Sequence, residues 1–76
     1  MPEHVREGVV KIVELVGVST ESWSDAARKA VERAAETIAD ITGIDVVHST
    51  AAVEGGRIKE YRVDVKVAFL VHQAAG

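Results

Sequence analysis

The residues best suited to do chemistry are Asp45, Ser49, Arg62, Asp64 and Lys66, which the sequence pattern gathers on one face of a hairpin. From Glu60 to Phe69 polar and apolar side chains alternate without a slip. Tyr61, Val63, Val65, Val67, Phe69 and Val71 therefore point one way, and Arg62, Asp64 and Lys66 the other. Two carboxylates on one face, Asp45 and Asp64, are the raw material of acid–base catalysis. Here Lys66 and Arg62 beside them would keep both ionised, which suits ion pairing better than proton donation. Carboxylates also suit calcium, a hard cation, but no EF-hand-like loop is present, so metal ligands stay unassigned. Ser19, Ser22 and Ser24 have no histidine near them in sequence and read as helix caps rather than nucleophiles. His4, His48 and His72 lie too far apart for a metal-ligand spacing. No catalytic set emerges. The polar face is either a solvated surface laced with ion pairs or a ligand-binding or subunit-contact surface built from Asp45, Arg62 and Lys66.

The elements that must position this face read as β-α-β-β. Residues 9–16 are β-branched and form the first strand, apolar on both sides, with Gly17 ending it. Ser22 caps a helix, with Asp25 three residues on. The helix is expected to run to about Ile41, with Gly43 as its stop. Its apolar stripe is Trp23, Ala26, Ala27, Ala30, Val31, Ala34, Ile38 and Ile41, mostly alanine, so the helix can lie close on a sheet. Asp25 and Lys29 form an i,i+4 pair. Residues 44–53 form the second strand. Gly55 and Gly56 make a two-residue hairpin turn, because both positions tolerate positive φ. Counting back from Glu54 opposite Arg57 pairs Thr50 with Tyr61, His48 with Val63, Val46 with Val65 and Ile44 with Val67 on the helix side. The same count pairs Ser49 with Arg62, Val47 with Asp64 and Asp45 with Lys66 on the polar side. The fold class is α+β, a three-stranded antiparallel sheet wrapped around one helix. Trp23 reads as packing, and Gly17-Val18-Ser19 is too short for a phosphate loop.

The chain has 76 residues and no cysteine. It makes one domain, residues 1–76, structured over about 9–71 with flexible ends at 1–7 and 73–76. So small a domain buries only ~60 % of its unfolded surface, and neither disulfides nor a thiolate metal site can help. The third strand, over residues 58–71, would span roughly 46 Å, more than one short helix can shelter. Assembly with identical copies is the expected remedy. The net charge of −3, without a basic run, argues against nucleic acid. The apolar stretches are too short and too often broken by charge to span a membrane. The N-terminus lacks a signal-peptide pattern, so a cytoplasmic location is expected.

Three segments carry a family resemblance: Lys11 to Trp23, the helix stretch Ala30-Val31-Glu32-Arg33-Ala34, and Tyr61 to Phe69. Together, in β-α-β-β order, they resemble the dodecins over roughly residues 9–71. The resemblance implies a hollow dodecamer of cubic 23 symmetry, sheets inward and helices outward. It implies a non-enzymatic role in binding and storing flavins (riboflavin, FMN or FAD) as stacked pairs near two-fold axes. Flavin-binding members place a tryptophan just after the helix, where this chain has Gly43, and a glutamine on the third strand, where it has Arg62, so the residues expected to hold a ligand are Gly43, Asp45, Arg62 and Lys66. Losing a stacked aromatic costs about 1–3 kcal/mol by analogy with base stacking. The expectation is therefore a dodecin-type sequestering protein with flavin affinity weak or lost. The alternative is a structural or calcium-binding shell, since this pattern resembles a non-flavin, calcium-associated subgroup.

Overall fold

The structure, a computed structural model, describes residues 8–71. The expected flexible ends at 1–7 and 73–76 lie outside the described residues. Strand β1 (Val9–Ser19) is followed by helix α1 (Trp23–Ala35), strand β2 (Ile41–Glu54) and strand β3 (Arg57–Val71). The sheet is antiparallel in the order β1-β3-β2, so the most regular strand lies at its centre.

Alanine and valine make the core. Ala26, Ala30 and Ala34 of α1 rest on Val63, Val65 and Val67 of β3, all six buried. Alanine lets the helix axis approach the sheet, and valine supplies the bulk from the strand side, as the two periodicities require. The helix begins as expected: the Ser22 hydroxyl accepts the Asp25 amide at 3.0 Å, an N-cap interaction.

Its end differs from the expectation. The helix stops at Ala35 rather than Ile41. The Thr37 and Ile38 amides close onto the Ala34 carbonyl at 3.1 and 2.8 Å. The chain then reverses through Asp40 at φ 60°, a left-handed conformation that aspartate tolerates better than most residues. Gly43 is therefore not the helix stop; it lies within β2, opposite Ala68. Ile38 and Ile41 do pack on the core, but from the turn and the strand, and so mimic helical spacing. Likewise Gly17 does not end β1, which runs two residues further to Ser19.

The hairpin turn is as expected, with Gly55 and Gly56 at φ 61° and 75°. Glu54 opposes Arg57, and at the far end Val46, Asp45 and Ile44 oppose Val65, Lys66 and Val67 as counted. Between these points the register slips by one. An extra residue on β3, Lys59, opens the slip, and an extra residue on β2, Val47, cancels it. The expected pairs of His48 with Val63, Ser49 with Arg62, Thr50 with Tyr61 and Val47 with Asp64 are thus replaced. His48 opposes Asp64, Ser49 opposes Val63, Thr50 opposes Arg62 and Ala51 opposes Tyr61. Because side chains alternate, a one-residue slip moves each to the opposite face. His48 joins the polar face and Ser49 leaves it.

The helix covers β1 and β3 and leaves most of β2 open. Ile44 and Val46, on the helix side of β2, remain 42 % and 50 % exposed. The radius of gyration is 15.2 Å, against about 11 Å for a compact chain of this length. One subunit is an elongated slab, not a closed globule.

Candidate functional site

The sheet face turned away from α1 is organised in cross-strand rows. One row is Glu14, Lys66, Asp45; the next is Val16, Asp64, His48; the third is Val18, Arg62, Thr50. Asp45 lies opposite Lys66, as the sequence predicted, yet no ion pair forms between them among the described residues. Arg62 does not neutralise either aspartate. Its Nε donates to the Glu60 carboxylate at 2.7 Å, two residues back on the same face of the same strand. Glu14, Asp45, Glu60 and Asp64 thus stand against Arg62 and Lys66, so the carboxylates on these rows outnumber the lysine and arginine cations by two. Val10, Ile12, Val16 and Val18 of β1 line its flank and are each at least two-fifths exposed.

Of the four residues expected to hold a ligand, Asp45 and Lys66 come together, whereas Gly43 and Arg62 do not. Gly43 opposes Ala68, six positions from Arg62 along β3, which is about 20 Å along the strand. Nothing stands within 4 Å of where a Gly43 side chain would begin, so the position is open. Among the described residues no three histidine, aspartate or glutamate side chains converge within one subunit to hold a metal ion.

Sequence reasoning missed Glu60, Glu14, His48 and Thr50 as members of this face. Glu60 is legible in hindsight, because residues two apart on a strand share a face. Glu14 sits in a strand apolar on both sides, which hides its direction until the pairing is known. His48 reaches the face only through the Val47 bulge, which leaves no compositional mark.

The helix start is a separate polar cluster. The buried Ser19 hydroxyl donates to Asp25 at 2.7 Å and accepts the Glu21 amide at 2.8 Å. Arg28 and Lys29 also bind Asp25. The Ser19 hydrogen bond first, and then the Arg28 and Lys29 cations, lower the Asp25 carboxyl from 3.8 to about 2. Ser22 caps the helix, as expected, whereas Ser19 ends β1 and holds the turn that precedes the cap. Trp23 packs edge-on against Tyr61, ring centres 4.8 Å apart, and its indole N–H donates to the Thr50 carbonyl at 2.7 Å.

One helix on an open three-stranded antiparallel sheet, with its charge on the uncovered face, defines a small α+β binding module. The chain belongs to the dodecin family, whose profile matches residues 9–72. It is a binding and storage protein of the dodecin type. It is 33 % identical to a calcium dodecin of Mycobacterium tuberculosis over 66 residues, 87 % of this chain and 93 % of that one. The solved structure of a calcium-chelating calcium dodecin from M. tuberculosis superposes with a TM-score of 0.75 at 33 % identity, covering 91 % of this chain and 99 % of that one. A Thermus thermophilus protein gives 0.84 at 31 % identity, covering 90 % and 100 %. A dodecin from Streptomyces coelicolor gives 0.86 at 24 % identity, covering 92 % and 100 %, a likeness of fold. No helix among the described residues is long and apolar enough to cross a membrane.

Proposed function

We propose that this protein assembles as a homo-dodecamer whose inward sheet faces hold cations, with calcium the leading candidate, rather than flavin. The acidic face carries this reading. The excess of two carboxylates per copy attracts a divalent cation and repels the phosphates of FMN and FAD. Oxygen ligands from carboxylates suit calcium, and Asp45, Asp64 and Glu14 are the residues proposed to supply them. Because too few donors converge in one subunit, the proposed site is shared between copies. The calcium-chelating relative from M. tuberculosis supports the choice of ion. Gly43 and Arg62 support the loss of flavin: the first offers no ring to stack on, and the second is held by Glu60.

Assembly is supported by the surface one copy leaves bare. Val10, Ile12, Val16 and Val18 on one side of the sheet and Ile44 and Val46 on the other are exposed, more than isolated surface apolar residues require. The experiment is a paired titration of the purified assembly. Calcium is expected to raise the thermal midpoint, since a ligand bound only by the native state stabilises it. Riboflavin and FMN are expected to keep their fluorescence. A calcium-independent midpoint together with quenched flavin would reverse the assignment, and a monomer in sedimentation would remove the shell.

A further inference from the structure

We propose that His48 and Asp64 form a two-donor seat for a borderline divalent metal ion of the zinc class, built within one copy by the bulge at Val47. His48 opposes Asp64 across β2 and β3. Directly opposed residues of an antiparallel pair hold their Cβ atoms about 4.5–5.5 Å apart. Continued without a bulge from Val46 opposite Val65, the ladder would set His48 against Val63, which is buried under the helix. A bulge re-aims a side chain, and this one turns an imidazole onto a face of oxygen donors.

The nitrogen selects the ion. Calcium takes oxygen ligands, whereas imidazole suits zinc, copper and nickel. Zinc accepts an imidazole nitrogen at ~2.0–2.1 Å and a carboxylate oxygen at ~2.0–2.2 Å, and a cross-strand pair brings both within reach of one ion. His48 is exposed and Asp64 half-buried. Among the described residues neither has a hydrogen bond or ion pair, and none joins them to each other. The pair is thus not a plain histidine–carboxylate bridge. The neighbouring cations leave the carboxylate open: Arg62 is turned to Glu60, and Lys66 stands one row away between Glu14 and Asp45. No three such donors converge within one copy among the described residues, so water completes the coordination, as at open zinc positions.

Neither the calcium reading nor the shell is required, because both donors belong to one copy. In the proposed shell this face is turned inward, where small ions reach it. Asp64 is also one of the carboxylates proposed for calcium, so the two ions compete there.

The test uses the full chain as it assembles, with His4→Ala and His72→Ala, which leaves His48 as the one histidine of the three. Zinc chloride and calcium chloride are titrated separately by calorimetry. Saturable zinc binding is expected. His48→Gln is expected to weaken it at least ~10-fold, the lower end of what residues supporting a metal are worth, and to leave calcium affinity within about two-fold, since calcium takes oxygen ligands. Asp64→Asn is expected to weaken both ions. His48→Cys is expected to restore zinc binding, because a thiolate is also a zinc ligand and the chain has no other cysteine. Circular dichroism and sedimentation verify that each variant folds and assembles as the parent does. Zinc affinity unchanged in His48→Gln overturns the proposal. So does an equal loss of calcium affinity there, which would make His48 a general support of the face, or a His48→Cys variant that binds zinc no better than His48→Gln. A parent that binds zinc through His48 and ignores calcium keeps the seat and removes the calcium reading instead.

Discussion

Gly17 and Ala26 meet where β1 passes beneath the helix, and a Cβ on Gly17 would strike the Ala26 carbonyl oxygen and come within 3.1 Å of the Ala30 Cβ. The obstacle is backbone, which cannot swing aside as a flexible side chain can. The absent side chain at Gly17 thus sets how closely α1 approaches the sheet, and with it the fit of the alanine stripe. Gly17→Ala forces the helix outward and strips contacts from Val63 and Val65. The expected cost is about 1–3 kcal/mol, the range for overpacked cores, read as a lower urea midpoint. A variant as stable as the parent would mean that the helix does not set its height at this point.

Val67 is fully buried beneath the helix. Val67→Asp places a carboxylate where no partner waits, and an isolated ionised group in such a site costs more than a small domain can spare. The variant is expected to be insoluble or unfolded by circular dichroism. A soluble, cooperatively melting product would show that β3 faces the other way.

The sheet and its facing were legible because β3 carries an unbroken period of two. The exposed polar row and the buried valine row follow from Tyr61 to Phe69 alone. The turn was legible because only Gly55 and Gly56 offered two adjacent positive-φ positions. What could not be read was the middle of the hairpin. Lys59 and Val47 cancel each other, so the register is right at both ends and wrong between. That misplaced His48 and Ser49. The helix end was hidden for a related reason: Ile38 and Ile41 contact the core at helical spacing without being helical. The charged face was legible in its members Asp45, Arg62, Asp64 and Lys66. Its net sign depended on Glu14 and Glu60, which only the pairing brings there.

Asp25 gives the helix start a pH signature. Its carboxyl is held at about 2 in the folded chain against an ordinary 3.8. A depressed folded value means the stabilisation is fully present above the unfolded value and is lost as pH falls through the folded one. Between about pH 4 and pH 2 the thermal midpoint is therefore expected to drop partly on account of this group. Asp25→Asn is expected to lower the midpoint at pH 7 and to flatten its fall over that acid window. The same acid slope in parent and variant would remove Asp25 from the cause.

The Trp23 indole ties the helix start to the edge strand β2 through the Thr50 carbonyl. Trp23→Phe keeps the ring against Tyr61 and removes only the donor. The expected loss is about 0.5–1.5 kcal/mol. Amide exchange should quicken along residues 49–52 ahead of the rest of the sheet. Uniform acceleration across all three strands would instead mark Trp23 as a general packing residue.

Gly43 and Arg62 together allow a gain-of-function test of why this chain disfavours flavin. A Cβ at Gly43 meets nothing within 4 Å, and the residue does not need positive φ, so the backbone there accepts a side chain and Gly43→Trp is the substitution to test. Arg62→Gln releases Glu60 and supplies an amide that can both donate and accept. The double variant is expected to quench riboflavin fluorescence with at least ~10-fold higher affinity than the parent, since a stacked aromatic is worth about 1–3 kcal/mol. FMN should bind it more weakly than riboflavin, because Glu14, Asp45 and Asp64 still repel the phosphate. Adding Asp45→Asn and Asp64→Asn should close that gap while reducing the calcium-dependent rise in thermal midpoint. FMN binding as tightly as riboflavin while Glu14, Asp45 and Asp64 are all in place would show that their charge does not govern this face.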